Sequence, residues 1–156
     1  MNNPHTKEEI AALLKKQQVA VIATNDNPSD SIRLRIMYYG IGSNFECYLM
    51  TLKDSPKLAH ITDSSRVTML FYNLESPFEN TWEAEMNGSA EILFKLEEIK
   101  TALEELKGRN PFADVALEAG LTAGHFAFLK FKPETLRFRI YSESLHNVPP
   151  TVLEFK

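Results

Sequence analysis

The sequence predicts a mainly β protein, a small β-barrel with α decoration, on three observations. Short apolar and β-branched runs recur along the chain, turn clusters separate them, and a few stretches switch to helical spacing. At 156 residues the chain is most simply one domain, able to bury about two thirds of its unfolded surface around a single core.

Thr6 followed by Glu9 is a capping box, and Ile10, Leu13 and Leu14 form one apolar stripe, so the chain opens with a short amphipathic helix. Val19 to Thr24 reads as a strand apolar on both faces, Asn25 to Asp30 as a turn, and Ser31 to Tyr39 as an alternating strand. Gly40 to Asn44 turns the chain into a third strand, Phe45 to Thr51. Ser55 is a natural N-cap with Pro56 at the first helical position, and Leu58, Ala59 and Ile61 give that helix an apolar side. Arg66 to Asn73 and Trp82 to Leu93 are further strands, separated by a loop containing Ser76-Pro77, and the lengths suit an antiparallel meander. From Lys95 to Lys107 the stripe Leu96, Ile99, Leu103, Leu106 predicts a surface helix that stops at Gly108. Pro111 to Ala119 is a second short helix with Phe112, Val115 and Ala116 inward, and strands return at Phe126 to Lys132 and Leu136 to Tyr141.

Composition narrows the function classes. Hydrophobic residues at 44% and charged residues at 24% are ordinary for a folded, soluble protein. A net charge of −4, with no long Lys/Arg cluster, gives no footprint for nucleic acid. Cys47 is the only cysteine, so an intrachain disulfide and a thiolate-rich zinc site are excluded, which fits a reducing cytoplasm. No signal-peptide pattern and no apolar run of membrane-spanning length is present. His5, His60, His125 and His146 lack metal-ligand spacing, so no metal site is expected. Glu83 and Glu85 share a strand face that reads as a solvated rim rather than an acid/base pair.

Two local features point to a ligand. In Ser31 to Tyr39, Ile32, Leu34, Ile36 and Tyr38 share one face, read as core, while Arg33, Arg35, Met37 and Tyr39 share the other. Both faces of the neighbouring strands are apolar too, so a second apolar surface must meet a helix, a ligand or another subunit. The other feature is Thr51-Leu52-Lys53-Asp54-Ser55-Pro56-Lys57, which concentrates hydroxyls, an ammonium and free backbone N–H groups where a strand ends and a helix begins. An anion such as a phosphate is met by that chemistry, and an ordinary capped helix start is the plainer reading.

The chain resembles the pyridoxamine 5′-phosphate oxidase-like, FMN-binding split-barrel superfamily. The resemblance rests on Val21-Ile22-Ala23-Thr24, then Arg35-Ile36-Met37-Tyr38-Tyr39, similar to the family's Arg-Pro-Met strand with Ile for Pro. It continues through Tyr48-Leu49-Met50-Thr51, Ser55-Pro56-Lys57, Arg66-Val67 and Trp82 to Glu91, where Asn87-Gly88-Ser89-Ala90-Glu91 resembles a Gly-x-Ala-Glu strand. It implies a six-stranded antiparallel split β-barrel with peripheral helices, homodimeric, with FMN at the subunit interface. It further implies that Thr51, Ser55 and Lys57 bind the FMN phosphate and that Arg35 contacts phosphate or ring, with Arg33 a weaker candidate on the same face. Met37, Tyr39 and the backbone of that strand would meet the isoalloxazine, with Ile36 beside them, and Trp82 is either a core residue or a contribution from the partner subunit.

Departures from the family pattern matter as well. Ser144-Leu145-His146-Asn147-Val148 stands where the vitamin B6 oxidases have an Arg-Leu-His-Asp-Arg segment, and Arg139 where Trp is expected, so the chain is nearer the general-stress-protein branch. An FMN-dependent oxidoreductase, with NADH, NADPH or a small redox substrate as partner, is one expectation. A non-enzymatic flavin-binding or flavin-sensing dimer is the other, and haem or a deazaflavin could replace FMN.

Overall fold

The computed structural model describes residues 3–26, 31–63, 66–75, 77–120 and 123–156. Helix α1 (Lys7–Lys16) opens the fold, its capping box formed as expected: the Glu9 N–H donates to Thr6 Oγ1 at 3.2 Å and the Thr6 N–H to Glu9 Oε2 at 2.8 Å. Strands β1 (Val19–Asp26), β2 (Ser31–Tyr38), β3 (Gly40–Ile41) and β4 (Cys47–Leu52) follow, and then α2 (Pro56–Asp63), β5 (Val67–Asn73) and β6 (Trp82–Ile92). Helices α3 (Leu96–Leu106) and α4 (Pro111–Glu118) precede β7 (Phe126–Ile140), the one-turn α5 (Tyr141–Ser144) and β8 (Thr151–Glu154).

All pairings are antiparallel, in the order β2-β1-β5-β6-β7-β4-β3, with β8 added to β7. The sheet curls into a half-closed barrel. It departs from a simple meander because β4 skips β5 and β6 and pairs with β7, from Cys47 opposite Phe131 to Leu52 opposite Phe126. The two strands expected at Phe126 to Lys132 and Leu136 to Tyr141 are one. Pro133 lacks an N–H for the ladder, yet β7 runs through it because the register against β6 shifts between Asn87 and Gly88. Gly88 is required there: a Cβ would lie 2.0 Å from the Lys132 carbonyl oxygen.

Two apolar layers result from the alternation. Inside the barrel pack Ala20, Ile22, Met37, Tyr39, Leu49, Met69, Phe71, Met86, Phe131 and Phe138, plugged by Ile10 and Leu14 of α1 and Ile61 of α2. Outside, Tyr48 and Met50 of β4 with Phe126 and Phe128 of β7 are covered by Ala102 and Leu106 of α3. The second apolar surface thus meets a helix over β4 and β7.

Over β2 no described residue of this chain covers it, and here the expected faces are reversed. Met37 and Tyr39 are buried, whereas Ile32, Leu34 and Ile36 are 72%, 69% and 65% exposed. Tyr39 is drawn inward by partners distant in sequence: its hydroxyl donates to the Leu14 carbonyl, and the Arg109 guanidinium lies 5.4 Å from its ring centroid. Arg109 also donates to the carbonyls of Lys15, Gln17 and Tyr39, closing the C-terminal end of α1. Two helix expectations are corrected likewise. Leu96, at the free first turn of α3, is 66% exposed, and Val115 of α4 is 64% exposed. Of the turn expected at Asn25 to Asp30, Asn25 and Asp26 belong to β1, while residues 27–30, like Ser76 and the side chains of Phe112 and Ala116, lie outside the described residues.

Candidate functional site

Strand β2 pairs only with β1, and β4 beyond Tyr48 pairs only with β7, so among the described residues the facing edges of β2 and β4 do not bond to each other. A split in the barrel follows, and a cavity of about 420 Å³ opens at it, lined by Ile36, Met37, Tyr38, Met50, Thr51, Leu52, Ser55, Lys57 and Asn110. Unpaired strand edges supply backbone donors and acceptors along its walls.

Part of the cavity lining is rich in hydrogen-bond donors. Thr51 is 7% exposed, and no hydrogen bond within the described residues engages its hydroxyl. Ser55 caps α2: its Oγ accepts the Lys57 N–H at 3.3 Å and its carbonyl the Leu58 N–H at 3.1 Å, leaving the hydroxyl proton free to donate. Among the described residues Lys57 is the only charged side chain lining the cavity, and no carboxylate pairs with its ammonium. Two hydroxyls, one ammonium and the positive end of a helix therefore converge. The rest of the lining is mostly apolar, from Ile36, Met37 and Met50 with the Tyr38 ring beside them.

Five of the residues singled out from sequence, Ile36, Met37, Thr51, Ser55 and Lys57, are brought together here. The others lie elsewhere: Tyr39, expected under the flavin ring, is fully buried in the barrel interior. Arg35 is beside the cavity rather than in its wall, its guanidinium donating to Thr24 Oγ1 at 2.9 Å and to His60 Nδ1 at 2.7 Å. Arg33 is exposed on β2, and Trp82 is 3% exposed in the core, its ring 5.8 Å from that of Phe138. Sequence reasoning missed Asn110, buried at the junction of α3 and α4, which accepts the Asp114 N–H as the cap of α4. Asn before Pro111 was a readable cap signal, although nothing local tied it to residues on β2 and β4. Glu83 of the supposed rim is engaged structurally, accepting hydrogen bonds from Arg139 at 2.8 Å and the Tyr141 hydroxyl at 2.7 Å. That bond to Glu83 pushes the Tyr141 phenol up from its ordinary pKa. Among the described residues no His, Cys, Asp and Glu cluster could hold a metal ion, and no helix is long and apolar enough to cross a membrane.

A split antiparallel barrel with a cleft lined by hydroxyls, an ammonium and apolar side chains between its open edges defines the structural class. The sequence model described as pyridoxamine 5′-phosphate oxidase matches residues 6–140, and the chain belongs to that family. Comparison with curated protein sequences finds no match. Among solved structures, a conserved hypothetical protein of Mycobacterium tuberculosis is similar at a TM-score of 0.70 and 16% identity, over 100% of this chain and 99% of the other. The FAD binding protein of Mycobacterium smegmatis is similar at 0.68 and 12%, over 97% and 98%. General stress protein 26 of Bacillus anthracis follows at 0.62 and 19%, over 96% and 98%. These likenesses establish the fold.

Proposed function

We propose that the chain binds FMN in the cleft between β2 and β4 and serves as a flavin-dependent oxidoreductase. The observation that carries this is that the hydroxyl of the largely buried Thr51, unengaged among the described residues, lines one cavity with Ser55 and Lys57, the rest of whose lining is mostly apolar. The donor set suits a phosphate monoester, and a volume of about 420 Å³ suits a small aromatic ligand. Family membership and the likeness to an FAD binding protein support the flavin reading.

Thr51, Ser55 and Lys57 would hold the phosphate, while Ile36, Met37, Tyr38 and Met50 would flank the ring and exclude water from it. Bound flavin would supply the electron-transfer chemistry, so the side chains are asked to bind and orient rather than to move protons. That fits a cavity lined by no His, Asp, Glu or Cys among the described residues. The same observation fits a non-enzymatic flavin binder, which is the second reading.

A second copy of the chain completes the proposal. Ile32, Leu34 and Ile36 form an exposed apolar row on an unpaired edge strand, and Ile36 belongs to both this row and the cavity wall. A homodimer docked through this row would bury it and close the cleft.

The absorbance spectrum and flavin content of the purified protein test the ligand, distinguishing FMN from haem or a deazaflavin. Stopped-flow mixing of the flavin-loaded protein with NADH or NADPH then separates the readings. Rapid bleaching of the flavin band is expected of an oxidoreductase, and no bleaching with either would favour the passive binder.

A further inference from the structure

Two of the three side chains proposed to hold the phosphate, Ser55 at its cap and Lys57 in its first turn, depend on helix α2, which is held to the core by Ile61 and, in part, Leu58. It is eight residues long, and Ile61 is its one fully buried side chain. A helix of this length has no stability of its own, so its orientation depends on tertiary contacts. Thr51, by contrast, sits on β4, which is fixed by six residue pairs to β7.

Resting on the flavin reading above, we propose that His60 is a positioning residue for the phosphate end of the cleft, holding α2 in place through Arg35. His60 lies one turn beyond Lys57, so the two share a side of the helix. The Arg35 guanidinium spans from the wall to the helix: one nitrogen donates to Thr24 Oγ1 on β1 at 2.9 Å, the other meets His60 Nδ1 at 2.7 Å. Guanidinium has donors and no acceptor, so His60 Nδ1 is the acceptor and carries no proton in this arrangement. The contact is a charge-assisted hydrogen bond between half-buried groups, about 100° around α2 from the Ile61 anchor. Arg35, at the family's matched arginine position, thereby acts on the phosphate end through the helix.

Loss of the acceptor frees α2 to shift Ser55 and Lys57 relative to Thr51, and the apolar part of the cleft is untouched. The effect should therefore fall on the phosphate and spare the ring. Binding of FMN and of riboflavin, which lacks the phosphate, is measured by fluorescence titration for the wild type, His60→Phe and His60→Asn. Asn is chosen because its Oδ1 stands close to where Nδ1 was and can accept from Arg35. Expected is a loss of about 10-fold or more in FMN affinity for His60→Phe, recovery to within about 3-fold for His60→Asn, and riboflavin affinity within about 2-fold throughout. An unchanged FMN affinity in His60→Phe, an equal loss for both ligands, or no recovery in His60→Asn overturns the proposal. A wild type that binds neither flavin overturns the flavin reading as well, which separates that failure from this one.

Discussion

At Thr51 the proposed anion site rests on three properties of one residue: its burial, a hydroxyl unengaged among the described residues, and a neighbour of the right charge in Lys57. Thr51→Val keeps the shape and removes the hydroxyl. FMN affinity is expected to fall by about 1.5 to 3 kcal/mol, roughly 10-fold to 150-fold, with the thermal midpoint unchanged, since no hydrogen bond among the described residues is lost. Lys57→Ala is expected to cost about 1 to 3 kcal/mol, roughly 5-fold to 150-fold, by the same titration; unchanged affinity would remove Lys57 from the site. Cys47 makes a contrasting case. Burial pushes its thiol far above the ordinary range near 8.5, so the nucleophilic thiolate is suppressed in the folded chain. Alkylation at pH 8 should proceed at the rate of unfolding, and fast labelling of folded protein would show the thiol to be accessible. Ser55, Pro56 and Lys57 were legible in the sequence because a cap is local chemistry. Arg35's bond to His60 was not, since it joins a strand to a helix across a long stretch of chain.

Among the elements, the sequence was most informative where periodicity was strong and least where two faces looked alike. The α1 capping box and the Pro56 start of α2 were readable to the residue. In β2, alternation separates two faces but cannot say which one is inside; Ile32, Leu34 and Ile36 look like core on composition, yet Tyr39 and Met37 are anchored inward by α1 and Arg109. The short β3 and β8 carried too few residues for any pattern, and Pro133 concealed the continuity of β7. That continuity rests on Gly88, which gives a prediction at this scale. Gly88→Ala forces a methyl into the Lys132 carbonyl and should destabilise the fold by about 3 kcal/mol or more in denaturant unfolding. A loss below about 1 kcal/mol would mean that the bulge can relax.

For the whole molecule, stability should decline on the alkaline side. Cys47, Tyr39 and Tyr48 are raised chiefly by burial, Tyr141 by its bond to Glu83, and Lys130 by its hydrogen bond to Glu46. Each folded value lies above the unfolded one, so each contribution is complete below the unfolded pKa and is lost as pH rises toward the folded one. The thermal midpoint should thus hold through neutrality and fall above about pH 8.5, first through the thiol and then through the phenols and the lysine near pH 10. The exposed row on β2 gives a second test. Leu34→Arg should convert a dimer to a monomer in sedimentation velocity while the monomer remains folded, and a wild-type monomer would remove the dimer from the proposal. The long strand β7 also has a bearing on how this chain is made. It borders β6 on one side, with β4 and then β8 sharing the other, so two strands made earlier, β4 and β6, wait for a partner that is synthesised late. Until residue 140 has left the ribosome, β4 has only the two-residue β3 beside it and the half-barrel cannot curl, leaving the nascent chain with open edges to be shielded.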